Sequence, residues 1–148
     1  MSDAIEPFLQ LRRVTFGDAD PRGTLYFASV ARYCMDAVEA WFTERLDSDW
    51  IQLSNERQIG APVVHSEFDF HKAARWGESL RLRVLVSKCG RSSINLLVQG
   101  HAELERSLCF ECRFICVFIN TATTRPVEIP GDLRLLIERE ATISADVQ

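Results

Sequence analysis

The chain has 148 residues, a length that suits one domain spanning residues 1–148 with a core of its own. Apolar residues make up 47% and charged residues 26%, a balance that excludes general disorder. The formal net charge is −4, so the chain has no overall basic character for nucleic acid, and no run approaches the roughly 20 apolar residues that cross a bilayer.

The opening stretch, MSDAIEPFLQLRR, is acidic before it is apolar. An export signal has a basic start and an apolar middle, so the expectation is a cytoplasmic protein. Its five cysteines then read as reduced thiols. Leu9–Phe16 reads as the first strand, and GDADPRG after it is a run of turn formers. A helix is predicted from about Tyr26–Ala28 to Leu46. Val30, Tyr33, Cys34, Ala37, Val38, Trp41 and Phe42 recur on it at the spacing of one buried face. Residues 47–60 have room for a short helix, and Gly60 and Pro62 punctuate the chain before the next element.

From there the pattern is strands. Val63–His71 comes first, with a turn at Arg75–Glu78. Leu80, Leu82, Val84 and Val86 then alternate with Arg81, Arg83, Leu85 and Ser87, which predicts a half-buried strand. Cys89–Ser92 is a turn, Ile94–Glu103 the next strand, and Leu108–Asn120 the longest. Gly131–Glu140 reads as a short helix after Pro130, with the segment past Ile137 free to fray or to cover a neighbour. One strand, a long helix and then a run of antiparallel strands predict an α+β domain with the helix packed on a curved sheet.

Cys109, Cys112 and Cys116 invite a metal reading. Strand alternation points Cys112 and Cys116 one way and Cys109 the other, so one ion cannot gather them, and buried structural thiols are expected. His65 and His71 fall on one strand face. No Gly-x-Ser-x-Gly elbow accompanies them for a triad with Ser92 or Ser93, and no His-x₂₋₄-His pair suggests a metal. They read as structural or surface residues.

The richest segment is the run FGDADPRGTLYF, from Phe16 to Phe27. Two acids and two glycines form a turn that feeds directly into the long helix. A helix N-terminus carries unpaired N–H groups and a partial positive charge. A carboxylate fixed beside such N–H groups supplies a base or nucleophile next to an oxyanion clamp, the minimum for acyl transfer. An Asp before a helix is also a common cap, worth about 1 kcal/mol, so both readings stand on physical grounds.

The segment VTFGDADPRGTLYFASVARYCMDAVEAWF resembles the opening of the 4-hydroxybenzoyl-CoA thioesterases, in the branch first described from Pseudomonas. That branch shows a Phe-Gly-Asp-x-Asp-x-x-Gly-x-x-aromatic run followed by the central helix. RQIGAPVVHSEFDFHKAARWGESLRLRV resembles the second segment of the same family, and the likeness covers roughly residues 9–120. The motif is specific to hotdog-fold thioesterases and far less specific for the acyl group. The resemblance implies the hotdog fold, a long central helix wrapped by a curved antiparallel sheet of about five strands. It implies that Asp20 attacks the thioester carbonyl or activates the water that does, and that the backbone N–H of Phe27 holds the oxyanion. Asp18 and Gly23 would support the turn. Lys88 and Arg91 would contact the CoA phosphates from the turn Lys88–Ser93, a cluster thinner here than in that branch, with Arg32 and Arg125 as weaker candidates.

The same resemblance implies an acyl-CoA hydrolase with no metal or redox cofactor. It implies a homodimer with joined sheets, or a homotetramer, with sites between subunits. A benzoyl-type acyl group is the first expectation, and a short or medium aliphatic chain or an acyl-carrier-protein substrate the alternative. Two other classes stay open, a non-catalytic acyl-binding module and an enoyl thioester hydratase or dehydratase. The latter relies on a catalytic His, which the motif turn lacks.

Overall fold

The computed structural model describes residues 5–147. The elements are β1 (Phe8–Arg13), α1 (Phe27–Arg45), α2 (Trp50–Arg57), β2 (Ile59–Gly60), β3 (Val63–Phe70), β4 (Ser79–Cys89), β5 (Ser93–Ala102), β6 (Leu108–Val117), β7 (Ile119–Asn120) and α3 (Gly131–Ala145). Five strands form one antiparallel sheet in the order β1-β4-β5-β6-β3, and β2 pairs with β7 in a separate short ribbon. This is the hotdog fold, a long helix seated on a curved sheet.

The helical spacing read from the sequence is the packing face of α1. Val30, Tyr33, Cys34, Ala37, Val38, Trp41 and Phe42 are all buried on it. They meet the inward-facing residues of the sheet, including Leu80, Leu82, Val84 and Val86 on β4 and Ile94, Leu96 and Val98 on β5. At about 1.5 Å per residue α1 is roughly 28 Å long, which runs its N-terminus out to the end of the sheet where β3 finishes.

Three boundaries depart from the sequence reading. β1 stops at Arg13, because a 3₁₀ turn at Phe16–Asp18 takes the chain away from β4. The longest strand is β4, with 11 residues, and β6 ends at Val117. Phe118 buries its ring there and its N–H turns to Ser92 O (2.7 Å), which breaks the strand before β7. The C-terminal helix runs past Glu140 to Ala145 because its far turns have tertiary partners. Glu140 accepts from Trp41 Nε1 (3.2 Å), and Ser144 Oγ accepts from Val86 N (2.9 Å) on the part of β4 that β1 does not cover.

The alternation assumed for the β6 cysteines also breaks. The pairing slips between Gly100 and His101, so Phe110 faces Gly100 and Leu108 faces His101, and Cys109 is left between them. Cys109 and Phe110 are consecutive buried residues. Beside the bulge, the outer end of the Phe110 ring sits over Gly100. A Cβ added at Gly100 would fall 2.3 Å from the Phe110 ring, a distance no real contact shows. Gly100→Ala should therefore displace Phe110 and cost about 1–3 kcal/mol, measured as a lower urea midpoint at unchanged m-value.

Candidate active site

The loop between β1 and α1 is held at both of its acids. The Asp18 carboxylate accepts from Thr15 Oγ (2.8 Å) and from Tyr33 Oη (2.6 Å), and it pairs with Arg32. Tyr33 and Arg32 lie one turn into α1, and Asp18 O accepts from Tyr26 N (2.9 Å) at the helix start. Asp18 thus ties the loop to the helix it precedes. The Tyr33 and Thr15 hydrogen bonds, with Arg32, hold its carboxyl below the ordinary pKa of 3.8.

Asp20 sits in a tighter turn. Its N–H donates to Thr24 O (2.7 Å), and Gly23 N donates back to Asp20 O (2.9 Å). Gly23 has φ +78°, in the left-handed region where a side chain is strained. Leu25 N to Ala74 O (2.8 Å) and Trp76 N to Gly23 O (2.9 Å) pin this turn to the segment between β3 and β4. The Asp20 side chain is about one-fifth exposed. Its Oδ1 accepts from the N–H groups of Arg22 (2.9 Å) and Thr24 (3.1 Å). Its Oδ2 accepts from Thr24 Oγ (2.8 Å), with Arg22 Nε at 3.9 Å. The two Thr24 bonds, backbone first, hold the Asp20 pKa below 3.8, so the group is an oriented carboxylate at neutral pH.

Asp20 opens on a cavity of about 400 Å³. Arg22 and Thr24 line it beside Asp20, and Phe27, Phe70 and Phe110 give it an aromatic wall. Phe27 is the first residue of α1. Its N-cap, Tyr26, makes no side-chain cap, and no acid occupies the first turn. The first helical N–H bond is Val30 N to Tyr26 O (3.0 Å), and among the described residues no group accepts from Phe27 N. The helix start therefore presents donors to an anion at the same cavity as the carboxylate.

Asp20, Phe27, Asp18 and Gly23 are thus gathered at one end of the sheet. Lys88 and Arg91 are not. Both are exposed at the β4–β5 turn, Arg91 with Glu128 at 4.0 Å. Ser79 to Lys88 spans about 30 Å of strand at 3.3 Å per residue, and the Asp20 loop is pinned near the Ser79 end. Thr24, Phe70, Lys72 and His71 line the cavity too, and the sequence reading had no role for Thr24, Phe70 or Lys72. Thr24 was legible in principle, since a hydroxyl four residues after an acid across a glycine turn can close back on it. His71, expected to be structural or at the surface, is one of these lining residues. It is half-exposed, with Nε2 3.4 Å from Glu111. Lys72 is paired with Glu105. Among the described residues no three His, Cys, Asp or Glu side chains converge as metal ligands. No described helix is long and apolar enough to cross a membrane.

A family model described as the thioesterase-like superfamily matches residues 14–137. The chain belongs to that superfamily. Among its relatives is a 1,4-dihydroxy-2-naphthoyl-CoA hydrolase of Gloeothece citriformis, 30% identical over 112 residues that make up 72% of this chain and 76% of the relative. A crystal structure of a thioesterase superfamily protein from Jannaschia sp. CCS1 superposes with TM-score 0.83 at 30% identity, covering 90% of this chain and 92% of the other. The 1,4-dihydroxy-2-naphthoyl-CoA thioesterase of Synechocystis superposes with TM-score 0.81 at 19% identity, covering 88% and 94%, and shows the shared fold.

Tyr33→Phe removes the main hydrogen-bond support of the Asp18 carboxylate and should cost about 1.5–3 kcal/mol of stability at neutral pH. A carboxylate with a depressed pKa stabilises the fold above its unfolded value and loses that contribution as pH falls through the folded one. The gap between wild type and Tyr33→Phe should therefore be full at pH 7 and shrink below pH 4 in urea titrations.

Proposed function

We propose that the protein hydrolyses an acyl-CoA thioester to the free acid and CoA, with Asp20 as the catalytic carboxylate. The observation that carries this is the ionised, triply hydrogen-bonded Asp20 facing the same cavity as the uncapped start of α1. Asp20 Oδ1 is spent on two backbone N–H groups, whereas Oδ2 accepts a single strong bond, so Oδ2 is the oxygen free to act on the thioester carbonyl or on a water beside it. The carbonyl oxygen gains negative charge as the carbon turns tetrahedral. The N–H of Phe27, at the positive end of α1, stabilises that charge. The C–S bond then breaks and CoA leaves as its thiolate, which takes up the proton that the attacking water gave to Asp20; where Asp20 itself attacks, the acyl group stays on Oδ2 as a mixed anhydride until a water hydrolyses it to the free acid and supplies that proton. Asp18 and Gly23 position the loop.

The acyl group we favour is aromatic. The wall made by Phe27, Phe70 and Phe110 suits a flat ring, and the Gloeothece relative carries a name with a bicyclic aromatic acyl group.

The site is completed by a second copy of the chain. β3 is an open sheet edge with Val64 and Phe70 exposed. An unpaired edge of this kind is a template for another strand. Val63 pairs near the β4–β5 turn end of the sheet and Phe70 near the Asp20 end. Joining two β3 edges antiparallel would bring the partner's β4–β5 turn to this chain's Asp20 end. Lys88 and Arg91 can then serve the CoA phosphates across the interface, although they cannot within one chain.

Asp20→Asn should lower kcat at least 10³-fold in a thiol-release assay on benzoyl-CoA and naphthoyl-CoA thioesters, at unchanged far-UV circular dichroism. Full turnover by that variant would overturn the assignment of Asp20. Thr24→Val removes a hydrogen bond to the charged carboxylate, so the Asp20 pKa rises. The acid limb of kcat/KM should shift to higher pH than in wild type, and an unshifted limb would show that Thr24 does not hold the carboxylate's charge.

A further inference from the structure

The outer face of the sheet carries a second cavity, of about 510 Å³, on the side away from α1. Arg81 and Arg83 of β4, His101 of β5 and Arg106 of the β5–β6 hairpin line it, with Pro7 and Leu9 as an apolar wall. Arg81 and His101 are direct cross-strand partners, and Arg83 lies opposite Leu9. Arg81 and Arg83 are two apart on one strand, so their side chains rise from the same face about 6.6 Å apart. Arg106 is held over them by an unusual backbone, φ +59°, with its N–H on Ala102 O (2.9 Å).

Arg81, Arg83 and Arg106 bring three positive charges into this hollow. Among the described residues none of the three forms an ion pair. Arg83 donates Nε (3.2 Å) and Nη2 (2.6 Å) to Gln99 Oε1, a neutral amide. The nearest carboxylate along that chain, Glu111, accepts from the far side of Gln99 (2.9 Å) and faces His71 and Arg113. Among the described residues Glu6 is the one acid lining the cavity, and it is exposed. Burial, then the Arg83 charge, hold the His101 pKa below 6.5, so at neutral pH it is an uncharged donor and acceptor. Like charges side by side on a sheet destabilise it unless something neutralises them. In a chain of net charge −4, three guanidiniums in one hollow are nonetheless without an ion pair among the described residues.

We propose that this cavity is an anion site for a ligand presenting at least two phosphate groups. The guanidinium is a planar fork that matches phosphate oxygens in pairs, and three forks around one hollow suit more than one phosphate. Pro7 and Leu9 give an attached organic body an apolar surface. Two sources share this chemistry: the nucleotide end of CoA, whose 3′-phosphate and pyrophosphate would then seat here in place of the contacts proposed for Lys88 and Arg91, and a free polyphosphate. The site lies on the half of β4 nearer the Asp20 loop but on the opposite face from α1. The inference does not need the hydrolase activity, because binding is read without turnover.

The test is isothermal titration of adenosine 3′,5′-bisphosphate and of inorganic pyrophosphate into the full-length protein. Arg81→Ala, Arg83→Ala and Arg106→Ala would be compared with Arg139→Ala, which removes an equal charge from the exposed face of α3. Circular dichroism would check folding. Wild type and Arg139→Ala should bind at least one probe, and each cavity variant should bind it about tenfold more weakly or worse. Turnover on an acyl-CoA separates the sources. A raised KM at unchanged kcat in Arg81→Ala marks the CoA nucleotide. Lost pyrophosphate binding with KM unchanged marks a separate polyphosphate. Failure of both probes to bind wild type at about 1 mM, or equal binding in all folded variants, overturns the site.

Discussion

The seating of α1 in the curved sheet is the constraint on which the rest of this structure depends. Its buried stripe is continuous from Val30 to Phe42, so the helix can neither rotate nor slide without exposing large side chains such as Tyr33 and Trp41. That fixes where its N-terminus emerges. The uncapped N–H groups of the first turn come out beside Phe68 and Phe70 of β3, with the Phe27 ring packed edge-on against Phe68 at 5.4 Å. A helix end is a generic anion site, and the packing of the far turns decides which cavity this one serves.

The loop before the helix completes the arrangement in two layers. Asp18 is consumed by structure, with its oxygens committed to Thr15, Arg32 and Tyr33. Asp20 two residues on is consumed only in part. Both acids have depressed pKa values for the same kind of reason, hydrogen bonds that favour the charged form, yet only Asp20 opens on a cavity. The difference is positional. Asp18 meets α1 one turn in, where Arg32 and Tyr33 reach back to it. Asp20 hangs in a glycine turn held from behind by Ala74 and Trp76, which leaves its outer edge open.

The two faces of the sheet carry different chemistry. The concave face is apolar and holds α1. The outer face carries a lateral polar network from Arg83 through Gln99 and Glu111 to Arg113 and Asp69, and among the described residues Arg81 and Arg106 pair with no acid. Strand alternation makes this separation automatic, since each inward leucine or valine on β4 is followed by an outward residue.

The sequence by itself determined the element order, the buried face of α1 and the inward residues of β4, because those depend on periods of 3.6 and 2 that any single chain displays. It also marked the FGDADPRG loop, where two acids, two glycines and a proline crowd a helix start. Only the tertiary structure decided the rest. Helix α3 extends to Ala145 because Trp41 and Val86, distant in sequence, satisfy Glu140 and Ser144. The burial expected of Cys109 is reached through a bulge that interrupts the alternation, and a bulge leaves no mark in a hydrophobic pattern. Phe70 and Phe110 wall the Asp20 cavity from strands about 50 and 90 residues away in the chain, through a register that no local signal specifies. Lys88 and Arg91 were legible as a basic turn. Their distance from Asp20 comes from the length of β4 and the direction in which the sheet runs, which the hydrophobic pattern alone does not reveal.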